Sequence, residues 1–87
     1  MSTSPKTAIV TGAGSGIGKV VALALLDAGW HVALAGRRQE ALRAVAEQSG
    51  ALARTLVVPT DVSDPAAVQH LFDTVVRTWG RVDLLLS

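Results

Sequence analysis

Short β-branched runs alternating with amphipathic stretches predict an α/β domain built on a doubly wound parallel sheet. Three observations carry that expectation. A glycine-dense turn, Thr11-Gly12-Ala13-Gly14-Ser15-Gly16-Ile17-Gly18, joins a strand-like run to a helix-like one; four apolar runs of strand length alternate with three helical stretches; and each helical stretch stops at a glycine, Gly29, Gly50 or Gly80.

The first strand is expected over Lys6-Thr7-Ala8-Ile9-Val10-Thr11, short and β-branched as a buried parallel strand should be. A helix follows from about Gly16 through Leu26 and ends at Ala28-Gly29, where glycine takes the left-handed conformation without steric cost. Trp30-His31-Val32-Ala33-Leu34-Ala35 reads as the second strand, ending at Gly36-Arg37-Arg38. The second helix runs from Gln39 to Gln48 with Leu42, Val45 and Ala46 on one face, and it closes near Ser49-Gly50. Thr55-Leu56-Val57-Val58-Pro59 is the third strand, with proline at its end where no ladder donor is needed.

Asp64-Pro65 reads as an N-cap followed by proline at the first helical position. The third helix then reaches Trp79, and Val68, Leu71, Phe72, Val75, Val76 and Trp79 form a stripe at helical spacing. Val82-Asp83-Leu84-Leu85-Leu86 is the fourth strand. Right-handed crossovers give the spatial order 3-2-1-4, with the first two helices on one face and the third on the other. The glycine turn then lies at the carboxyl ends of the strands, beside the switch point between strands one and four. The fourth strand would be an open apolar edge, so residues 1–87 are expected to be the first, amino-terminal half of a longer domain.

Composition narrows the function classes. Hydrophobic residues make up 49% and charged ones 17%, which describes a globular chain with a generous core. The eight basic residues are dispersed and the net charge is +1, so neither a nucleic-acid partner nor a polyanion-binding face is expected. Without cysteine there is no disulfide framework and no thiolate chemistry, and His31 and His70 lie too far apart in sequence to suggest a metal site. The polar lead-in from Met1 to Lys6 carries no secretory signal and no apolar run is long enough to cross a bilayer, which makes a cytoplasmic location the expectation.

The glycine turn carries the chemistry. Helix N-termini present unpaired N–H groups and the positive end of the helix dipole, and glycines let a phosphate come close to them. The dinucleotide fingerprint G-x-G-x-x-G fails in each register, meeting Ile17, Lys19 or Val21 where glycine is required. A P-loop ending at Gly18-Lys19 would need glycine at Ala13 and a hydroxyl at Val20. What fits is Thr-Gly-x-x-x-Gly-Ile-Gly over Thr11 to Gly18, and in this the chain resembles the short-chain dehydrogenase/reductase family. A glycine-rich connection that binds nothing is the bland alternative.

The resemblance implies a Rossmann-like NAD(P)-binding domain in which Gly12, Ser15, Gly16, Ile17 and Gly18 hold ribose and pyrophosphate. Asp61-Val62, after the third strand, is similar to the family's adenine-pocket pair; a cap for the following helix is the alternative, although Asp64 fills that role more naturally. Thr11 reads as structural, and Asp83 as a support for the backbone of the fourth strand. At the end of the second strand a carboxylate would accept from a ribose 2′-hydroxyl, but Gly36 stands there and Arg37 and Arg38 follow. Guanidinium groups suit a 2′-phosphate, so NADP(H) is expected over NAD(H). Ser15 occupies the family's other basic position, and the alternative reading is two arginines that merely solvate a strand-to-helix loop.

The family works with serine, a Tyr-x-x-x-Lys pair and usually asparagine. This chain has no tyrosine, and Lys6 and Lys19 are at the wrong end, so no catalytic residue is assigned. For a full-length protein the resemblance implies hydride transfer between nicotinamide and a small carbonyl or alcohol substrate, in a homo-oligomer. Two rivals stand beside that reading: a non-catalytic NADP(H)-binding module or regulator, and a fragment that pairs with another chain through the open fourth strand.

Overall fold

The computed structural model describes residues 5–87, so most of the polar lead-in read at the start of the chain lies outside the described residues. Four strands, β1 (Thr7–Thr11), β2 (His31–Gly36), β3 (Thr55–Pro59) and β4 (Leu84–Leu86), form one sheet in the order β3-β2-β1-β4. All pairings are parallel, with Ile9 opposite Ala33 on one side and Leu85 on the other. Helices α1 (Gly16–Asp27), α2 (Gln39–Ser49) and α3 (Pro65–Trp79) make the crossovers.

Two-residue periodicity divides β1 and β2 between two cores. Ala8, Val10, Val32 and Leu34 face α1 and α2, where Ala22, Leu26, Leu42, Val45 and Ala46 complete one buried cluster. Ile9, Ala33 and Ala35 face α3 and join Val58, Leu71 and Val75 in the other. Ile9 and Leu34 are fully buried, so truncating either to alanine removes core volume worth about 2–5 kcal/mol. The expected apolar faces of α2 and α3 both pack inward, except that Val76 at the flank of α3 is half exposed.

Helix ends follow local chemistry. The Asp64 carboxylate accepts the Ala66 N–H at 3.0 Å, with Pro65 at the first helical position. At the other end of α3, Gly80 is left-handed and its N–H donates to the Val76 carbonyl at 2.8 Å. A single 3-10 turn, Leu52–Arg54, was not legible in the sequence. It carries the half-buried Arg54, whose guanidinium donates to the Leu26 carbonyl at 2.7 Å and so closes the end of α1 from 28 positions away.

The fourth strand is shorter than the sequence suggests, and Asp83 is the reason. Its N–H donates to the Thr7 carbonyl at 2.8 Å, while its carboxylate, rather than a backbone carbonyl, accepts the Thr7 N–H at 2.8 Å. Regular pairing therefore starts one residue later, at Leu84 against Ala8. Asp83 is thus the backbone support that its position in the sequence suggested. Val82 packs into the α3-side core rather than pairing, and Leu84 and Leu85 remain 38% and 49% exposed.

Candidate functional site

The carboxyl ends of β1, β2 and β3 meet at one edge of the sheet, and the glycine turn rises between β1 and α1. The buried Ala13 fastens it, its N–H donating to the Ala35 carbonyl at 3.2 Å near the end of β2. The glycines of the turn divide their work. Gly12 and Gly16 have φ of +65° and +60°, a region that costs other residues strain, and a Cβ on either would meet nothing within 4 Å. Gly18 is different, because a Cβ there would lie 2.4 Å from the Gly12 carbonyl oxygen, so bare backbone packs on bare backbone. A Cβ at Gly14 would come within 3.0 Å of the Ala41 Cβ, which draws α2 against the turn.

Ser15 caps α1 with extended backbone, yet its hydroxyl makes no capping hydrogen bond. The first turn of α1 contains no acidic side chain, and Ile17 is largely exposed. N–H groups of that turn and a free serine hydroxyl therefore border the same edge, the donor set that a phosphate requires.

Beside it is a cavity of about 360 Å³ lined by Gly12, Gly14, Ser15, Gly36, Arg37, Arg38, Ala41 and Leu42. Gly36 ends β2, and a Cβ on it would touch only Leu42 at an ordinary 3.5 Å. Arg37 also borders a second cavity with Pro59, Thr60 and Asp61 at the end of β3. That end is locked to β2 by the Thr60 N–H, which donates to the Gly36 carbonyl at 2.7 Å. Arg37 and Asp61, read from the sequence as neighbours of two different parts of a ligand, face each other, with Arg37 Nη2 3.4 Å from Asp61 Oδ1.

Hydrogen bonds from the Ser63 hydroxyl and backbone N–H, aided by Arg37, hold the Asp61 carboxyl below its ordinary pKa. Asp61 is therefore no cap for α3, a role that Asp64 fills. Val62 is exposed and lines a separate apolar cavity of about 190 Å³ with Thr11, Val68, Leu71, Phe72, Leu85 and Ser87. Thr11 is structural, as read, its hydroxyl donating to the Leu86 carbonyl at 3.2 Å.

Thus Gly12, Ser15, Arg37 and Arg38 share one cavity, Asp61 joins through Arg37, and Val62 stands apart from both. Gly14, Ala41 and Ser63 were missed by the sequence reading. Ala41 could not be found without knowing how α2 packs, whereas the Asp-x-Ser spacing at Asp61 and Ser63 was a visible turn signal.

A family model described as short chain dehydrogenase matches residues 6–87. The chain belongs to that family. An uncharacterized oxidoreductase of Staphylococcus aureus strain USA300 is 43% identical over 82 residues, covering 94% of this chain and 35% of that relative. A short chain dehydrogenase/reductase from Burkholderia phymatum, solved in complex with NAD, superposes with a TM-score of 0.87 at 36% identity, over 94% of this chain and 30% of its own. An NADPH dependent reductase involved in bacilysin biosynthesis superposes with a TM-score of 0.87 at 32% identity, over 94% of this chain and 36% of its own. This chain therefore spans about a third of the length of these relatives, one of which was solved with NAD and another of which is described as NADPH dependent.

Among the described residues no group of three or more potential ligands could hold a metal ion, and no helix is long and apolar enough to cross a membrane.

Proposed function

We propose that this chain is the cofactor-binding part of an NADP(H)-preferring oxidoreductase that passes hydride between nicotinamide and a carbonyl or alcohol. The observation that carries the preference is the rim of the cavity beside the glycine turn, where the second strand ends in Gly36 and Arg37 and Arg38 follow. A carboxylate at that strand end would favour a ribose 2′-hydroxyl and repel a 2′-phosphate. Glycine leaves the space open, and two guanidinium groups supply charge-assisted donors.

The other contacts follow from the turn. N–H groups from Gly16 to Gly18 and the dipole of α1 would take the pyrophosphate, and the Ser15 hydroxyl, unused as a cap, would meet the ribose. Asp61, held by Ser63, would accept from the adenine amine. Bound there, the nicotinamide cofactor supplies hydride transfer. The residues of this chain bind and orient it.

The test is an Arg37→Ala variant titrated with NADPH and with NADH. A charge-assisted contact of this kind is worth about a tenfold to hundredfold change in affinity, so NADPH binding should weaken by that much while NADH binding stays near its original value. Equal losses for the two would overturn the assignment.

A further inference from the structure

The carboxylate of Asp61 is held unevenly. Its Oδ1 accepts from the Ser63 hydroxyl at 2.7 Å, from the Ser63 N–H at 3.0 Å and from Arg37 Nη2 at 3.4 Å, while among the described residues no donor reaches Oδ2. Two of these bonds come from a residue two positions away, so the turn at Asp61 closes on itself without help from β2. The third is the longest, and its side chains are 75% and 48% exposed. Water and salt compete for a contact of that kind, and it exchanges readily.

Arg37 is placed to make the exchange, because it stands on the rim shared by both cavities. Resting on the NADP(H) reading above, we infer that Asp61 tunes cofactor choice by holding Arg37 in reserve, so that a 2′-phosphate must take the guanidinium from this carboxylate. A phosphate dianion offers more charge and more acceptor oxygens than a carboxylate and wins the competition. A neutral 2′-hydroxyl does not, and Arg37 stays on Asp61. The exchange leaves Asp61 in place, since Ser63 still grips Oδ1 and Oδ2 stays available to a donor from the ligand. Binding of NADP(H) therefore includes breaking one ion pair that binding of NAD(H) leaves intact.

The test uses Asp61→Asn, which keeps an oxygen acceptor for Ser63 and removes the charge. Dissociation constants for NADPH and NADH are measured on the complete natural polypeptide for the wild type, Asp61→Asn, Arg37→Ala and the double variant. The ratio of the two constants cancels any change in adenine contact common to both cofactors. Removing the aspartate charge should shift that ratio toward NADPH by about twofold to fivefold, the range of an exposed pair, and the shift should vanish when Arg37 is alanine. No shift would overturn the inference. A shift of equal size with and without Arg37 would overturn it too, because it would mean direct repulsion between Asp61 and phosphate. A wild type that binds neither dinucleotide would defeat the cofactor reading itself, an outcome distinct from normal binding without coupling.

Discussion

Two arginine–aspartate pairs sit at opposite ends of this sheet and are built differently. At the amino end Arg81 grips Asp83 with two bonds, Nε to Oδ2 at 2.8 Å and Nη2 to Oδ1 at 2.6 Å, with side chains 40% and 25% exposed. Asp83 Oδ2 also accepts the Thr7 N–H, joining segments 76 positions apart. At the carboxyl end Arg37 meets Asp61 once, at 3.4 Å, and both are more exposed. The residue types are the same. What differs is the task of each carboxylate: Asp83 starts the β1–β4 pairing and is fixed, whereas Asp61 borders a cavity and is held mainly by its own turn.

The largest effect should come from breaking the carboxyl end at its tightest point. Gly18→Ala places a Cβ 2.4 Å from the Gly12 oxygen, and neither backbone can yield without opening the turn. We expect a destabilisation near the upper end of the overpacking range, about 3 kcal/mol, together with loss of dinucleotide binding. Urea denaturation and a nucleotide titration check both, and a variant of ordinary stability that binds normally would show that the turn has more slack than its contacts imply.

Next in size is the separation of stability from binding between the two pairs. Asp83→Ala should lower the urea midpoint, because it leaves the Thr7 N–H without its acceptor and Arg81 without its bidentate partner. The folded fraction should bind cofactor as before. Arg37→Ala should do the reverse, leaving the midpoint unchanged while weakening NADPH binding. Comparable midpoint losses in both variants would erase the distinction.

The smallest expected effect is on acid stability. The Arg81 guanidinium, together with the Thr7 N–H, holds the Asp83 carboxyl below its ordinary pKa, as the Ser63 bonds and Arg37 do for Asp61. A carboxylate depressed in the folded state contributes stability above its unfolded pKa of about 3.9, and that contribution is lost as pH falls through the lower folded value. The leading partner of Asp61 lies two residues away and survives in part in the unfolded chain, whereas the Thr7 contact of Asp83 does not. Asp83→Asn should therefore flatten the acid-side fall in stability, below about pH 4, more than Asp61→Asn does. Urea midpoints across that range give the comparison, and equal flattening would argue against it.

Much of this molecule was legible in the chain because the deciding interactions are local or periodic. The alternation of Ala8, Ile9 and Val10, the stripe on α3 and the Asp64-Pro65 start each reflect the geometry of a single element. The strand order followed from the handedness of crossovers, which the chain cannot easily violate. The boundary of β4 moved because a distant partner intervened, Asp83 replacing a ladder acceptor, while α1 ended where expected and gained a contact from Arg54, beyond the next strand and helix.

By itself, then, the sequence determined the doubly wound order, the position of the glycine turn and the family, since spacing and periodicity are properties of the chain alone. Only the tertiary structure decided which residues share a cavity. It put Ala41 against Gly14, held Gly18 against the Gly12 carbonyl, set Val62 apart, and brought Arg37 to Asp61 across 24 positions. Those relations depend on how helices and strand ends dock in space, and no local pattern encodes them.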